Sequence, residues 1–229
     1  MEITDTRIFS QAVEDYVKAI YKLQSEDESV STTGLARKMG TSPAAATKMI
    51  KHLAESKLID YTRYHGVRLT PAGERVALEI IRHHRLLEMY LHQALGYGWD
   101  EVDAEAEKLE HHISEEFEAR IDRMLDYPST DPHGDPIPTR EGTIAPHRGK
   151  PLSDFNPGDR LVILRVRDSN PDALRYLAKL GMTLAVVVEV KDKQPFNGPL
   201  TLKIGEQTHS VGRELAGHVF AEVCGEEAA

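Results

Sequence analysis

Between residues 126 and 151 the chain carries six prolines, and no other stretch limits its fold as much. Proline removes a backbone donor and clashes with the preceding helical turn, so helices stop at such a tract and central strands avoid it. The spacing of apolar residues also changes across it. Before the tract they recur at helical intervals; after it, short runs alternate with a period of two. Two kinds of core are therefore expected, and 229 residues allow one to three small domains.

Val13, Tyr16, Val17, Ile20, Tyr21 and Leu23 line one face of a helix expected over 10–26. A short helix follows over 31–39, and Gly40 breaks it. Ser42 caps the next helix, with Pro43 in the first turn where a missing N–H costs nothing. Leu58–Tyr61 and Val67–Thr70 then read as two strands joined through Tyr64-His65-Gly66. Helix, short helix, turn, helix and hairpin is the order of a winged helix-turn-helix. Three helices are expected next, over 71–94, 100–112 and 114–125. Beyond the proline tract come β-rich runs at 160–166, 184–190, 200–204 and 209–211, interrupted by a helix over 171–180. Short strands with Gly/Pro turns suggest a small SH3-like barrel. The expected fold class is α+β and multi-domain: a winged helix-turn-helix over 1–72, an all-α dimerisation segment over 73–140, a linker over 141–152, and an SH3-like small β-barrel over 153–229.

The net charge of −9 argues against nucleic acid if taken whole, but it is unevenly placed. Residues 30–70 hold seven Lys/Arg against two acids, whereas residues 73–140 hold seven against sixteen. A basic module beside an acidic one suggests phosphate as partner for the first, and cations or a second subunit for the second. Solvated helical faces would give the same counts. No apolar run is long enough to span a bilayer, and the N-terminus lacks a signal-peptide core, so a cytoplasmic protein with no membrane partner is expected. Cys224 is the single cysteine, which excludes an intrachain disulfide and a cysteine-based zinc knuckle.

Sequence readout requires a helix whose exposed N-terminal residues reach base edges in the major groove. The helix opening Ser42-Pro43-Ala44-Ala45-Ala46-Thr47-Lys48 fits, its small residues permitting close approach. Candidate DNA contacts are Ser42, Ala44, Thr47 and Lys48, with Lys51 for phosphate. Thr32 and Thr33 open the preceding helix, and Arg63 and His65 sit on the wing. Winged helices also mediate protein contacts, which is the alternative for this module.

In the acidic segment, Glu107, Glu110 and His111 stand at i, i+3 and i+4, on one face of the expected helix. His84 and Glu88 share a face of the preceding helix. If the two helices pack antiparallel these sets meet, and a divalent cation removes the repulsion between their carboxylates. A merely wet acidic face is the plainer alternative.

The winged helix, the segment His84-Arg85-Leu86-Leu87-Glu88, the pair Glu110-His111 and the motif Asp131-Pro132-His133-Gly134-Asp135-Pro136-Ile137-Pro138 together resemble the diphtheria toxin repressor family over the whole chain. That resemblance implies a homodimeric, metal-dependent repressor of double-stranded operator DNA. It implies a primary metal site of Asp15, His84, Glu107, Glu110 and His111, and a second site of Glu88, Asp131, His133 and Asp172. Iron-type members carry Met and Cys where this chain has Asp15 and Glu107. Hard oxygen donors in their place imply Mn²⁺ as cofactor, with Fe²⁺ the alternative. Lys18 stands where compact manganese regulators carry a further Glu, so their two-metal arrangement is not implied. Leu86, Leu87, Tyr90 and Leu91 are expected at the subunit contact. Alternatives are an iron-dependent repressor of the same family, a metal-dependent hydrolase using two cations, and a winged-helix regulator of an organic ligand.

Overall fold

The computed structural model describes residues 9–25, 30–62, 66–167 and 170–224. The helices are α1 (Gln11–Gln24), α2 (Thr32–Lys38), α3 (Pro43–Glu55), α4 (Pro71–Leu95), α5 (Val102–Leu109), α6 (Glu115–Met124), α7 (Pro171–Lys179) and α8 (Arg213–Ala216). The strands are β1 (Ile59–Thr62), β2 (Gly66–Leu69), β3 (Lys150–Pro151), β4 (Arg160–Val166), β5 (Val187–Lys193), β6 (Leu200–Ile204), β7 (Gln207–Val211) and β8 (Val219–Val223), with a 3₁₀ turn at Leu152–Asp154. No described helix is long and apolar enough to cross a membrane.

The chain divides into two compact units. The first joins residues up to His84 with Leu109–Ser114 and Pro138–Ile144; the second joins Arg85–Lys108, Glu115–Ile137 and residues from Ala145 onward. This grouping cuts across the sequential domains, because α4 gives its first half to one unit and its second half to the other.

In the first unit, helix starts follow their caps. Ser31 Oγ accepts from the Gly34 N–H at 3.0 Å and Ser42 Oγ from the Ala45 N–H at 3.2 Å, satisfying donors that a first turn leaves open. Val13, Val17, Ile20, Leu35, Ile50, Leu53 and Val67 form the core beneath the α2–α3 pair and the β1–β2 hairpin. Gly73 admits α4 beside the hairpin. A Cβ there would sit 2.0 Å from the Leu58 carbonyl oxygen, so only glycine fits.

In the second unit, Leu152, Phe155, Leu161, Ile163, Leu174, Val188 and Leu202 fill a core against a six-stranded antiparallel sheet. The strand order is β3-β8-β4-β5-β6-β7. Register shifts between Ile163 and Arg165 and between Val190 and Asp192 mark bulges, which bend strands. This is the SH3-like domain.

Three expectations are corrected. The helix read as 100–112 ends at Leu109, so Glu110 and His111 occupy the turn after α5 rather than its face. The run read as starting at 184 begins at Val187, because Ala185 adopts φ 62°, a left-handed value that ends regular strand. Leu86, Leu87 and Leu91 are buried within their own chain and do not await a partner. The apolar groups that the second unit exposes include Leu95, Phe117, Met124 and Tyr127.

Candidate metal centre

Among the described residues, two groups of ligand-type side chains lie wholly within one unit, one in each. In the first unit, Asp15, Glu110 and His111 each offer a ligand atom within 4.8 Å of the others. Asp15 comes from α1 and the other two from the turn after α5. His111 Nε2 is 2.8 Å from Asp15 Oδ1 and 3.3 Å from Glu110 Oε1. His84, near the middle of α4, places Nδ1 2.5 Å from Glu110 Oε2. The backbone is tied in as well, with His83 Nδ1 3.2 Å from the Glu110 carbonyl oxygen.

Two further residues in this cluster were not assigned a role from sequence. Glu14 is buried, and its Oε2 is 2.7 Å from His111 Nδ1. A carboxylate there accepts the Nδ1–H and would leave Nε2 as the atom to coordinate, as outer-shell carboxylates do beside metal-binding histidines. Lys18, one turn further along α1, places Nζ 2.7 Å from both carboxylate oxygens of Glu110. For Glu14 the one signal was its i, i+4 spacing to Lys18, beside the apolar face of α1; Lys18 was marked in the sequence by its position alone.

The electrostatics are those of a tightly compensated cluster. Burial works to raise the Glu110 carboxyl, but the His84 hydrogen bond and the Lys18 charge outweigh it and the pKa falls below its ordinary value. For His111 burial works to lower the pKa. Hydrogen bonds to Asp15 and Glu14, with the Glu110 charge, overcome that and lift it to about 9.

The second cluster joins Glu88, Asp131 and His133, all buried, again with ligand atoms within 4.8 Å. The proline tract builds it. Asp131 Oδ1 accepts from the N–H of His133 at 2.8 Å and of Asp135 at 3.0 Å, closing a tight loop. Gly134 makes the closure possible: its φ is +88°, and a Cβ would fall 2.1 Å from the Leu164 carbonyl oxygen. His133 Nε2 lies 2.6 Å from the Trp99 carbonyl oxygen, with the Trp99 ring stacked at 6.0 Å. A carbonyl only accepts, so Nε2 carries a proton, and Nδ1 faces Glu88 Oε1 at 3.6 Å. Burial, then the charges of Glu88 and Asp135, lift the Asp131 carboxyl to about 7, with Arg85 and His133 partly offsetting them. Arg85 Nε stands 3.5 Å from Asp131 Oδ2 and braces the loop by donating to the Pro136 carbonyl. Buried acids held this close are costly without a cation, and both donor sets are nitrogen and oxygen only, which suits a hard divalent metal.

Not every expected ligand joins these groups. Asp172 has a side chain 87% exposed and is paired with Arg175, which also reaches Asp100. Glu107 is placed differently from Asp172: it is exposed on α5, one turn before Glu110 in the sequence.

The expected DNA-reading residues lie at the surface of the first unit. Thr33, Ser42, Ala44, Lys48 and Lys51 are exposed, and Thr32 and Thr47 half-exposed. The Ser42 hydroxyl serves as a helix cap, and Thr47 Oγ1 donates to the Pro43 carbonyl at 2.7 Å. Arg63 and His65 fall outside the described residues.

Comparison with known proteins matches three consecutive family models. Residues 8–67 match the iron dependent repressor N-terminal DNA binding domain, 70–139 its metal binding and dimerisation domain, and 150–223 the FeoA domain. An HTH-type transcriptional regulator of Methanocaldococcus jannaschii is 34% identical over 113 residues, which are 49% of this chain and 90% of that protein. The iron-dependent repressor IdeR of Mycobacterium tuberculosis is 31% identical over 137 residues; the match takes in 60% of this chain and spans 57% of the relative's length. A solved manganese-dependent transcriptional repressor, in complex with manganese, is 38% identical with a TM-score of 0.85, covering 93% of this chain and 100% of that one. The chain belongs to the diphtheria toxin repressor family, the metal-dependent transcriptional repressors with a DNA-binding, a dimerisation and an SH3-like domain.

Proposed function

We propose that this chain is a manganese-dependent repressor: a cytoplasmic homodimer that, with Mn²⁺ as corepressor, binds palindromic operators of metal-uptake genes. One observation carries the reading. Asp15, from the helix that precedes the reading helices, meets Glu110 and His111 from far along the chain at a single point. Its domains are taken as 1–72, 73–140 and 153–229, with a linker over 141–152.

The primary site comprises Asp15, His84, Glu107, Glu110 and His111; Glu107 enters by its place one turn before Glu110 and by the family resemblance. The second site comprises Glu88, Asp131 and His133, with Asp172 joining only once it leaves Arg175. When bound, a divalent cation supplies the positive charge that allows these carboxylates to crowd together. Asp15 ties α1 to the metal-binding segment and so restrains the reading head. Thr32, Thr33, Ser42, Ala44, Thr47, Lys48, Lys51 and Arg63 then meet the operator. A dimer reads two half-sites only if its recognition helices stand about 34 Å apart, one DNA turn. Coupling of this kind is typically ~1–3 kcal/mol per linked event.

Oxygen donors at Asp15 and Glu107 support Mn²⁺, as does similarity to a manganese-dependent repressor. An iron-dependent repressor is the second reading, favoured by the relatives named for iron. Asp15→Ala tests the mechanism: it is expected to abolish metal-dependent operator binding while the dimer stays folded. Normal repression by that variant would remove α1 from the mechanism.

A further inference from the structure

The first cluster holds one residue that no metal site needs. The Lys18 side chain is 6% exposed, and Glu110 is fully buried. A buried ammonium is tolerated only where its charge is met. Here Nζ lies 2.7 Å from Oε1 and from Oε2 of Glu110, and 3.4 Å from His84 Nδ1. It therefore sits across the face of the carboxylate, on the oxygens that a cation would use. Other charged or titratable groups at this point include Glu14, Asp15 and His111.

We propose that Lys18 is a tethered cation that competes with metal for the Glu110 carboxylate and so raises the metal concentration at which the site fills. The inference rests on the metal-site reading above. An ammonium and a divalent ion cannot both span two oxygens of one carboxylate, because like charges a few ångström apart repel strongly in a buried place. For Glu110 to serve as ligand, Lys18 must give up at least one of its two contacts. Its tether holds the ammonium at a high effective concentration, so it reoccupies Glu110 whenever metal is scarce. The position of this residue, one turn after Asp15, thus sets a threshold and does not merely delete a ligand.

The test uses full-length protein stripped of metal and titrated with MnCl₂ by calorimetry at one pH and ionic strength, beside Lys18→Met and Asp15→Ala. Met keeps the volume of the stem and removes the charge. Lys18→Met is expected to bind Mn²⁺ at least about tenfold more tightly than the unaltered chain, and Asp15→Ala to lose that binding step. Equal or weaker binding by Lys18→Met, with Asp15→Ala still deficient, would overturn the part given to Lys18 and leave the site standing. Undiminished binding by Asp15→Ala would overturn the site, and the role of Lys18 with it. Should Lys18→Met fail to fold, the unaltered protein decides. An ammonium held by Glu110 exchanges slowly with water, giving an Nζ–H resonance in ¹⁵N-lysine-labelled protein that is expected to shift or vanish when diamagnetic Cd²⁺ saturates the site. An unchanged resonance at saturation would overturn the proposal.

Discussion

Glu14 Oε2 lies 2.7 Å from His111 Nδ1, on the ring edge opposite the Nε2 that faces Asp15. The two acids that α1 brings to this histidine therefore have different tasks. Glu14 holds the tautomer and orientation of the ring, while Asp15, in the proposed site, would share the metal with Nε2. Glu14→Ala is expected to weaken Mn²⁺ binding about 10–100-fold, the usual cost of losing an outer-shell partner, with the fold kept. Calorimetric titration of the purified variant measures it, and an unchanged affinity would mean that the Glu14 contact does not orient the ligand.

The loop around Gly134 has no room for a side chain. Gly134→Ala adds backbone strain at φ +88° to a clash with Leu164. A loss of at least ~2 kcal/mol is expected, visible as a lower Tm in chelator-treated protein. A Tm within a degree of the unaltered chain would show that the loop is free to move.

His133→Ala and Asp172→Ala should differ. His133 is buried between Glu88 and Trp99, whereas Asp172 is exposed on Arg175. Removing His133 is expected to lower the number of metal ions bound per chain, and removing Asp172, which must first leave Arg175, to lower it less, as measured by equilibrium dialysis with metal analysis. Equal losses would mean that Asp172 swings in on binding.

Phe117 is exposed and meets Tyr90 edge-on at 6.3 Å. If the dimer forms through the apolar groups that the second unit leaves uncovered, Phe117→Asp buries a charge in the interface. The dissociation constant should then rise at least tenfold in sedimentation equilibrium. A dimer of unchanged strength would place the interface elsewhere.

Local rules carried much of the fold. Gly40, Ser42 and Pro43 marked the break and the start of α3, and the structure repeats them because capping and proline geometry act within a few residues. What depends on distant partners was less legible. Periodicity carried the helix through Glu110 and His111, yet α5 stops at Leu109, and Glu110 turns inward to meet Lys18 and His84. β8 escaped notice as well. Its first three residues, Val219, Phe220 and Ala221, are all buried, so it shows no alternation of apolar and polar positions. The candidate ligands were identified from residue type and resemblance. The burial of Glu14 and Lys18 was not legible, because a charged residue on a helix reads as solvated until its surroundings are known.

The central claim is that metal licenses DNA binding through Asp15. Fluorescence anisotropy of a labelled palindromic operator, at fixed salt, tests it with metal-free protein titrated by Mn²⁺ and, under anaerobic conditions, by Fe²⁺. Tight binding with Mn²⁺, reversed by chelator and absent in Asp15→Ala, is the expected result. Equal activation by Fe²⁺ would remove the metal assignment and keep the mechanism. Binding indifferent to metal, to chelator and to Asp15 would contradict the account.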